Sequence, residues 1–176
     1  MTRLPPRLRH PASFPVLRSA VLALIFALTA ACPAWAWVDP TTGHRSATHV
    51  TRRADIPEKN WLPGHRGVDL AARPGDPIRA AEEGTVAFVG VVAGTPVISI
   101  AHPDGLRSTY QPVHSRVAVG DVVAEGDVVG HLGHSSDHDG LHWGVLTGPD
   151  TYINPLSLLD APTIRLKPPD DGIGGR

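Results

Sequence analysis

The stretch Gly84-Thr85-Val86-Ala87-Phe88-Val89-Gly90-Val91-Val92-Ala93-Gly94-Thr95-Pro96-Val97-Ile98-Ser99-Ile100-Ala101-His102-Pro103-Asp104-Gly105-Leu106-Arg107-Ser108-Thr109-Tyr110-Gln111 decides the fold class. β-branched and aromatic residues fill 84–91, 96–101 and 106–111, and the interruptions Ala93-Gly94-Thr95 and Pro103-Asp104-Gly105 are made of residues that tolerate turns or positive φ. The same alternation extends outward. Further candidate strands fall at 77–81, 117–119, 128–132 and 141–146, separated by Pro74-Gly75-Asp76, Gly120-Asp121 and Gly126-Asp127. No window between these breaks sustains a helical period. The expected fold is all-β, an antiparallel sandwich or half-open barrel of short strands. With 18 Gly and 18 Pro in 176 residues, a coiled coil, a helical bundle and a polytopic membrane protein are excluded.

The rest of the chain reads as appendages to one domain. Residues 1–36 have the pattern of a secretory signal. Arg3, Arg7, Arg9 and Arg18 make a basic start, 20–31 is an apolar run, and Ala34-Trp35-Ala36 fits a small-x-small cleavage site. The run is short of the roughly 20 residues that span a bilayer. Lipidation of Cys32, the only cysteine, is the rival, but Thr29 stands where a lipoprotein signal has an aliphatic residue. Residues 37–60 read as an irregular lead-in, 61–160 as the domain and 161–176 as a disordered tail. The formal charge of −1 argues against an electrostatic nucleic-acid binder. Without the four arginines of the signal, 12 basic residues face 17 acidic ones, a net −5 on an exported body that has no disulfide.

Gly120-Asp121-Val122-Val123 recurs six residues later as Gly126-Asp127-Val128-Val129. Two ordinary turns, each leading into a strand, account for the echo. The alternative, a carrier-domain hairpin, needs a modifiable lysine at its tip, and the only lysines are Lys59 and Lys167.

Histidine is the commonest metal ligand, and His131, His134, His138 and His142 crowd into twelve residues. Two settings stand out. In Gly64-His65-Arg66-Gly67-Val68-Asp69-Leu70 an imidazole and a carboxylate are four apart, which puts them on one face of extended chain. In Gly140-Leu141-His142-Trp143-Gly144 a third donor sits on a β-rich run flanked by glycines, beside Trp143, which alternates away from it into the core. Two imidazoles and one carboxylate are a donor set of catalytic zinc sites, which leave the fourth position to water.

From His65 to about Leu159 the chain resembles the lysostaphin-type (LytM-like) zinc metallopeptidases, which cut peptide bonds of bacterial peptidoglycan. The resemblance is carried in order by 65–72, 75–81, 83–86, 106–110, Val119-Gly120-Asp121, 126–130, Leu141-His142-Trp143 and Asn154-Pro155-Leu156. It implies a duplicated-hybrid-motif-like all-β fold and one Zn2+ held by His65, Asp69 and His142. It also implies action on peptidoglycan peptide in the cell envelope, alone or beside another cell-wall enzyme. Two departures accompany it. The family's two further histidines, which handle protons and stabilise the transition state, correspond here to Pro112 and Gly140. His138, with Asp139 in the same loop, Tyr110 and His114 are the candidates to replace them. Hydrolysis and a non-hydrolytic module that binds peptidoglycan or regulates another enzyme both stay open. Trp61 is expected to staple the lead-in to the domain.

Overall fold

The computed structural model describes residues 37–47 and 49–161. The expected signal at 1–36 and all but the first residue of the expected tail lie outside the described residues. Eleven short strands follow in order: β1 (Val50–Arg52), β2 (Val68–Leu70), β3 (Pro77–Arg79), β4 (Gly84–Val92), β5 (Thr95–Ala101), β6 (Arg107–Gln111), β7 (Val113–Ser115), β8 (Val122–Val123), β9 (Val128–Leu132), β10 (Leu141–Leu146) and β11 (Tyr152–Ile153). A single 3-10 turn, Pro155–Leu158, follows them, capped by Asn154.

An eight-stranded sheet runs β1-β2-β10-β6-β5-β4-β8 with β11 on β10, and a three-stranded sheet runs β3-β9-β7. Every pairing is antiparallel. The sheets do not close into a barrel. Among the described residues no helix is long and apolar enough to cross a membrane.

One apolar cluster draws on both sheets, with Ile78, Val113, Val129 and Leu132 from the small one and Val68, Leu70, Ile98, Ile100, Tyr110, Leu141, Trp143 and Val145 from the large one. The period of two is visible in β2 and β10. Val68 and Leu70 point into the core with Asp69 between them, and Leu141, Trp143 and Val145 do the same around His142 and Gly144.

One expected strand is absent. At 117–119 the backbone turns, because the Ser115 hydroxyl accepts from Val117 N–H at 3.1 Å and bonds its carbonyl at 2.6 Å, and a tight turn begins at Ala118. The pairing expected there falls instead to β7 and β8, on either side.

The repeated Gly-Asp pairs are turns, and there are three of one design. In Arg73–Asp76, Ala118–Asp121 and Ala124–Asp127 the fourth N–H returns to the first carbonyl and the Asp carboxylate accepts from the first N–H. The third residue is a glycine at φ between 82° and 93°, as a type II turn requires. Gly120 N–H reaches the Val86 carbonyl and Gly126 N–H the Ala80 carbonyl, both at 2.9 Å.

A buried polar chain stitches the core. His102 Nδ1–H donates to the Glu83 carbonyl at 2.7 Å, which leaves Nε2 to accept from the Ser108 hydroxyl at 2.7 Å. Ser108 and Tyr110 hydroxyls are paired at 2.9 Å, and the Tyr110 oxygen accepts from Ala81 N–H at 3.0 Å. Burial pushes the Tyr110 hydroxyl up to about 12. Burial also pushes His102 below its ordinary 6.5, against the opposing pull of the Glu83 carbonyl and the charges of Asp104 and Glu82. The neutral imidazole is therefore the folded form, and its contribution to stability is complete above about pH 6.5 and declines as pH falls toward the depressed value. The melting temperature of wild type is expected to fall more steeply below pH 6.5 than that of His102→Gln. Parallel profiles would show that His102 is not the group responsible.

Most of the described residues of 37–60 lie outside strands, and the segment packs into the domain. Trp37 and Val38 are buried, Trp37 lies 4.5 Å from the His102 ring and 6.3 Å from the Trp143 ring, and β1 adds an edge to the large sheet. Trp61 is no staple: it is 78% exposed, with Lys59 Nζ 5.3 Å from its ring centroid.

Candidate metal centre

Three strand-borne facts assemble the site. β2 pairs with β10 so that Asp69 faces His142, and β10 pairs with β6 so that His142 faces Gln111. Cross-strand partners share a face, so Asp69, His142 and Gln111 form one row on the side of the sheet away from Trp143. His65 enters that face through an isolated bridge to Asp55, with N–H···O bonds of 2.7 and 2.9 Å. Gly67 lets the intervening turn lie flush, since a Cβ there would strike the Trp143 carbonyl and stand 2.9 Å from His142 Cε1.

The donor atoms converge. His65 Nε2 is 3.0 Å from Asp69 Oδ1 and 3.0 Å from His142 Nδ1, and His142 Nδ1 is 2.8 Å from Asp69 Oδ1. His138 Nδ1 lies 3.1 and 3.2 Å from the two Asp69 oxygens, and the four donor atoms all fall within 4.8 Å of one another. His65, Asp69 and His142 are buried; His138, on the loop before β10, is half-buried.

The tautomer of His65 sharpens the chemistry. Its Nδ1–H donates to the Arg53 carbonyl at 2.8 Å, so in the neutral ring Nε2 carries a lone pair. That lone pair faces a carboxylate oxygen 3.0 Å away, and two acceptors at such a distance need a cation between them. A proton serves one pair; a metal ion serves all three donors at once. Ligands about 2.0–2.1 Å from a tetrahedral zinc stand roughly 3.3 Å apart, close to the spacing of this trio. The residues fit the ion, with His138 as a looser fourth neighbour.

Electrostatics agree with a site kept anionic. Burial raises the Asp69 carboxyl, but hydrogen bonds from His142 and His138 and the nearby charge of His138 and His65 outweigh it, and the group sits below its ordinary value. Burial also holds His142 below its ordinary value, against the pull of Asp69. Both shifts favour the deprotonated, ligating forms.

Two candidate residues are not brought to this centre. Tyr110 is the cross-strand partner of Trp143 and belongs to the opposite face, fully buried in the polar chain of the core. His114 is exposed on β7, opposite His131 in the small sheet, outside the four-residue group. Gln111, half-buried beside His142, was not singled out by sequence, although its place next to Tyr110 on an alternating strand carries the signal.

The two positions where the resemblance expects histidine, Pro112 and Gly140, both bear on the loop at 133–140. The Pro112 carbonyl accepts from Gly133 N–H at 2.8 Å, where the 133–140 loop begins. Gly140 ends that loop at φ +107°, and a Cβ there would collide with the Leu70 carbonyl and stand 3.0 Å from Ala72 N. Of the two, only Gly140 matters to this loop through its residue type, because the Pro112 contact is made by a backbone carbonyl that any residue would supply.

Residues 63–155 match the sequence profile of peptidase family M23. A protein of Mycobacterium tuberculosis described only as uncharacterized is 46% identical over 164 residues, covering 87% of this chain and 65% of its own. The chain thus spans about two thirds of the length of that relative. The DD-carboxypeptidase/endopeptidase Mpg of Neisseria meningitidis is 30% identical over 79 residues, 44% of this chain and 18% of its own. Among solved structures, the catalytic domain of the prophage-encoded M23 protein EnpA from Enterococcus faecalis superposes with a TM-score of 0.52 at 27% identity. It covers 61% of this chain and 88% of its own.

Proposed function

The chain belongs to peptidase family M23, and on that premise we propose that it is an exported zinc metalloendopeptidase that cuts peptide bonds of bacterial peptidoglycan. The observation that carries the reading is the convergence of His65 Nε2, Asp69 Oδ1 and His142 Nδ1 within 2.8–3.0 Å of one another. Export rests on the signal-like residues 1–36, with cleavage after Ala36.

Zinc held by these three residues would supply Lewis acidity toward a peptide carbonyl and acidify water at the open position. The protein's part is orientation and proton handling. His65 is held by Arg53, and Asp69 by its place between two core residues of β2. His138 donates through Nδ1 to Asp69, which leaves Nε2 to take a proton from water and return it to the leaving amine. One imidazole then covers both protonation roles.

His138→Ala is expected to keep one zinc per chain and to lower soluble muropeptide release by about 10²–10⁴-fold, the ordinary contribution of a general acid or base. His142→Ala is expected to lose both the metal and the release. Elemental analysis and a peptidoglycan digestion assay decide. Stoichiometric zinc with no release from wild type would reject hydrolysis in favour of a peptidoglycan-binding or regulatory module, the reading that Pro112 and Gly140 favour.

A further inference from the structure

The segment 49–55 precedes the residues that match the family, and it is hydrogen-bonded directly to residues of the metal centre. Its Arg53 carbonyl fixes the His65 tautomer at 2.8 Å, its Asp55 brackets the His65 backbone, and its His49 carbonyl accepts from Ala71 N–H at 2.9 Å just beyond β2. β1 pairs Val50 with Leu70 and Arg52 with Asp69, so two steps on β1 match one on β2 and Thr51 is the extra residue of a bulge. Bulges re-aim side chains. Here the Thr51 hydroxyl lies 2.8 Å from the Asp139 carbonyl and 3.1 Å from the Asp69 carbonyl.

We propose that residues 49–55 are a working part of the metal centre and that Thr51 is a positioning residue, tying the loop that carries His138 to the strand that carries Asp69. A hydroxyl has one proton to give, and the shorter contact assigns it mainly to Asp139, the neighbour of His138. The loop is fixed at its ends by Pro112 and Gly140, and Thr51 adds a clamp beside the residue that must stay over the carboxylate. The bulge is what lets an edge strand make this contact.

The rate part of this inference rests on the peptidase reading; the structural part does not. Thr51→Val keeps the shape and removes the hydroxyl, and Thr51→Ser restores it. Amide hydrogen exchange at 137–140 is expected to speed up about two- to tenfold in the valine variant, the worth of one net hydrogen bond, and to return to wild type in the serine variant. Muropeptide release is expected to drop by a similar factor in kcat with KM and zinc content unchanged. The valine change is expected to have no further effect in a His138→Ala background. Unchanged exchange at 137–140 in Thr51→Val, or serine as impaired as valine, overturns the proposal whether or not the protein hydrolyses peptidoglycan.

Discussion

Writing the family's histidine back into position 140 is expected to damage the protein rather than activate it. Gly140 sits at φ +107°, and any Cβ there meets the Leu70 carbonyl oxygen and Ala72 N, backbone atoms of the segment leaving β2 that cannot move aside cheaply. Strain at such a φ alone costs on the order of 1–3 kcal/mol, and the collision adds to it. Gly140→His is therefore expected to lose about 3 kcal/mol or more of folding stability, roughly a hundredfold in the equilibrium. Gly140→Ala should lose nearly as much, because the fault lies in the backbone and not in the imidazole. Urea denaturation midpoints of the two variants test this. A histidine variant as stable as wild type and faster on peptidoglycan would show that the loop had re-formed around a restored His-x-His pair.

The second large effect is expected at Asp69. Its Oδ1 is shared by His65 and His142, both its oxygens face His138, and it is the only anion of the four-residue group. Asp69→Asn keeps the shape, removes the charge and puts an amide among three imidazoles. Loss of a hydrogen-bonded partner behind a ligand typically costs 10–100-fold in metal affinity, so loss of the charged ligand itself should exceed about 100-fold. Ligand-linked stabilisation follows affinity, and the rise in melting temperature that zinc gives the wild type should vanish in the variant. Thermal melts with zinc and with chelator measure it. A variant that kept the zinc-dependent rise would exclude Asp69 as a ligand.

What could be read from the sequence depended on whether a contact is made by side-chain type or by backbone. The strands at 84–91, 96–101, 106–111, 128–132 and 141–146 announced themselves as β-rich runs bounded by turn residues, because buried strands select β-branched and aromatic side chains and the tight connections between them select glycine, proline and aspartate. His65, Asp69 and His142 were legible differently, through the spacing of His65 and Asp69 four apart, the glycines flanking His142 and the order of motifs that carries the family resemblance. Tyr110 was misjudged because its face depends on its pairing with Trp143, and register between distant strands leaves no mark in one sequence. The part played by 49–55 was invisible because Arg53, Asp55 and His49 act through backbone atoms, which every residue has. The absence of histidine at 112 and 140 was visible in the sequence, but the need for glycine at 140 was not, since a clash with Leu70 exists only after the chain has folded.

The paired turns at Gly120 and Gly126 carry a consequence of another kind. They dock on Val86 and Ala80, carbonyls separated by the same six positions as the glycines themselves, with the two segments running in opposite senses. Two lengths of chain are being compared, and each acts as a ruler for the other. A residue inserted or deleted between Gly120 and Gly126 would leave one glycine out of step with its mark, whatever the residue was. Its counterpart between Ala80 and Val86 should do the same harm, and equal insertions in both segments should partly cancel.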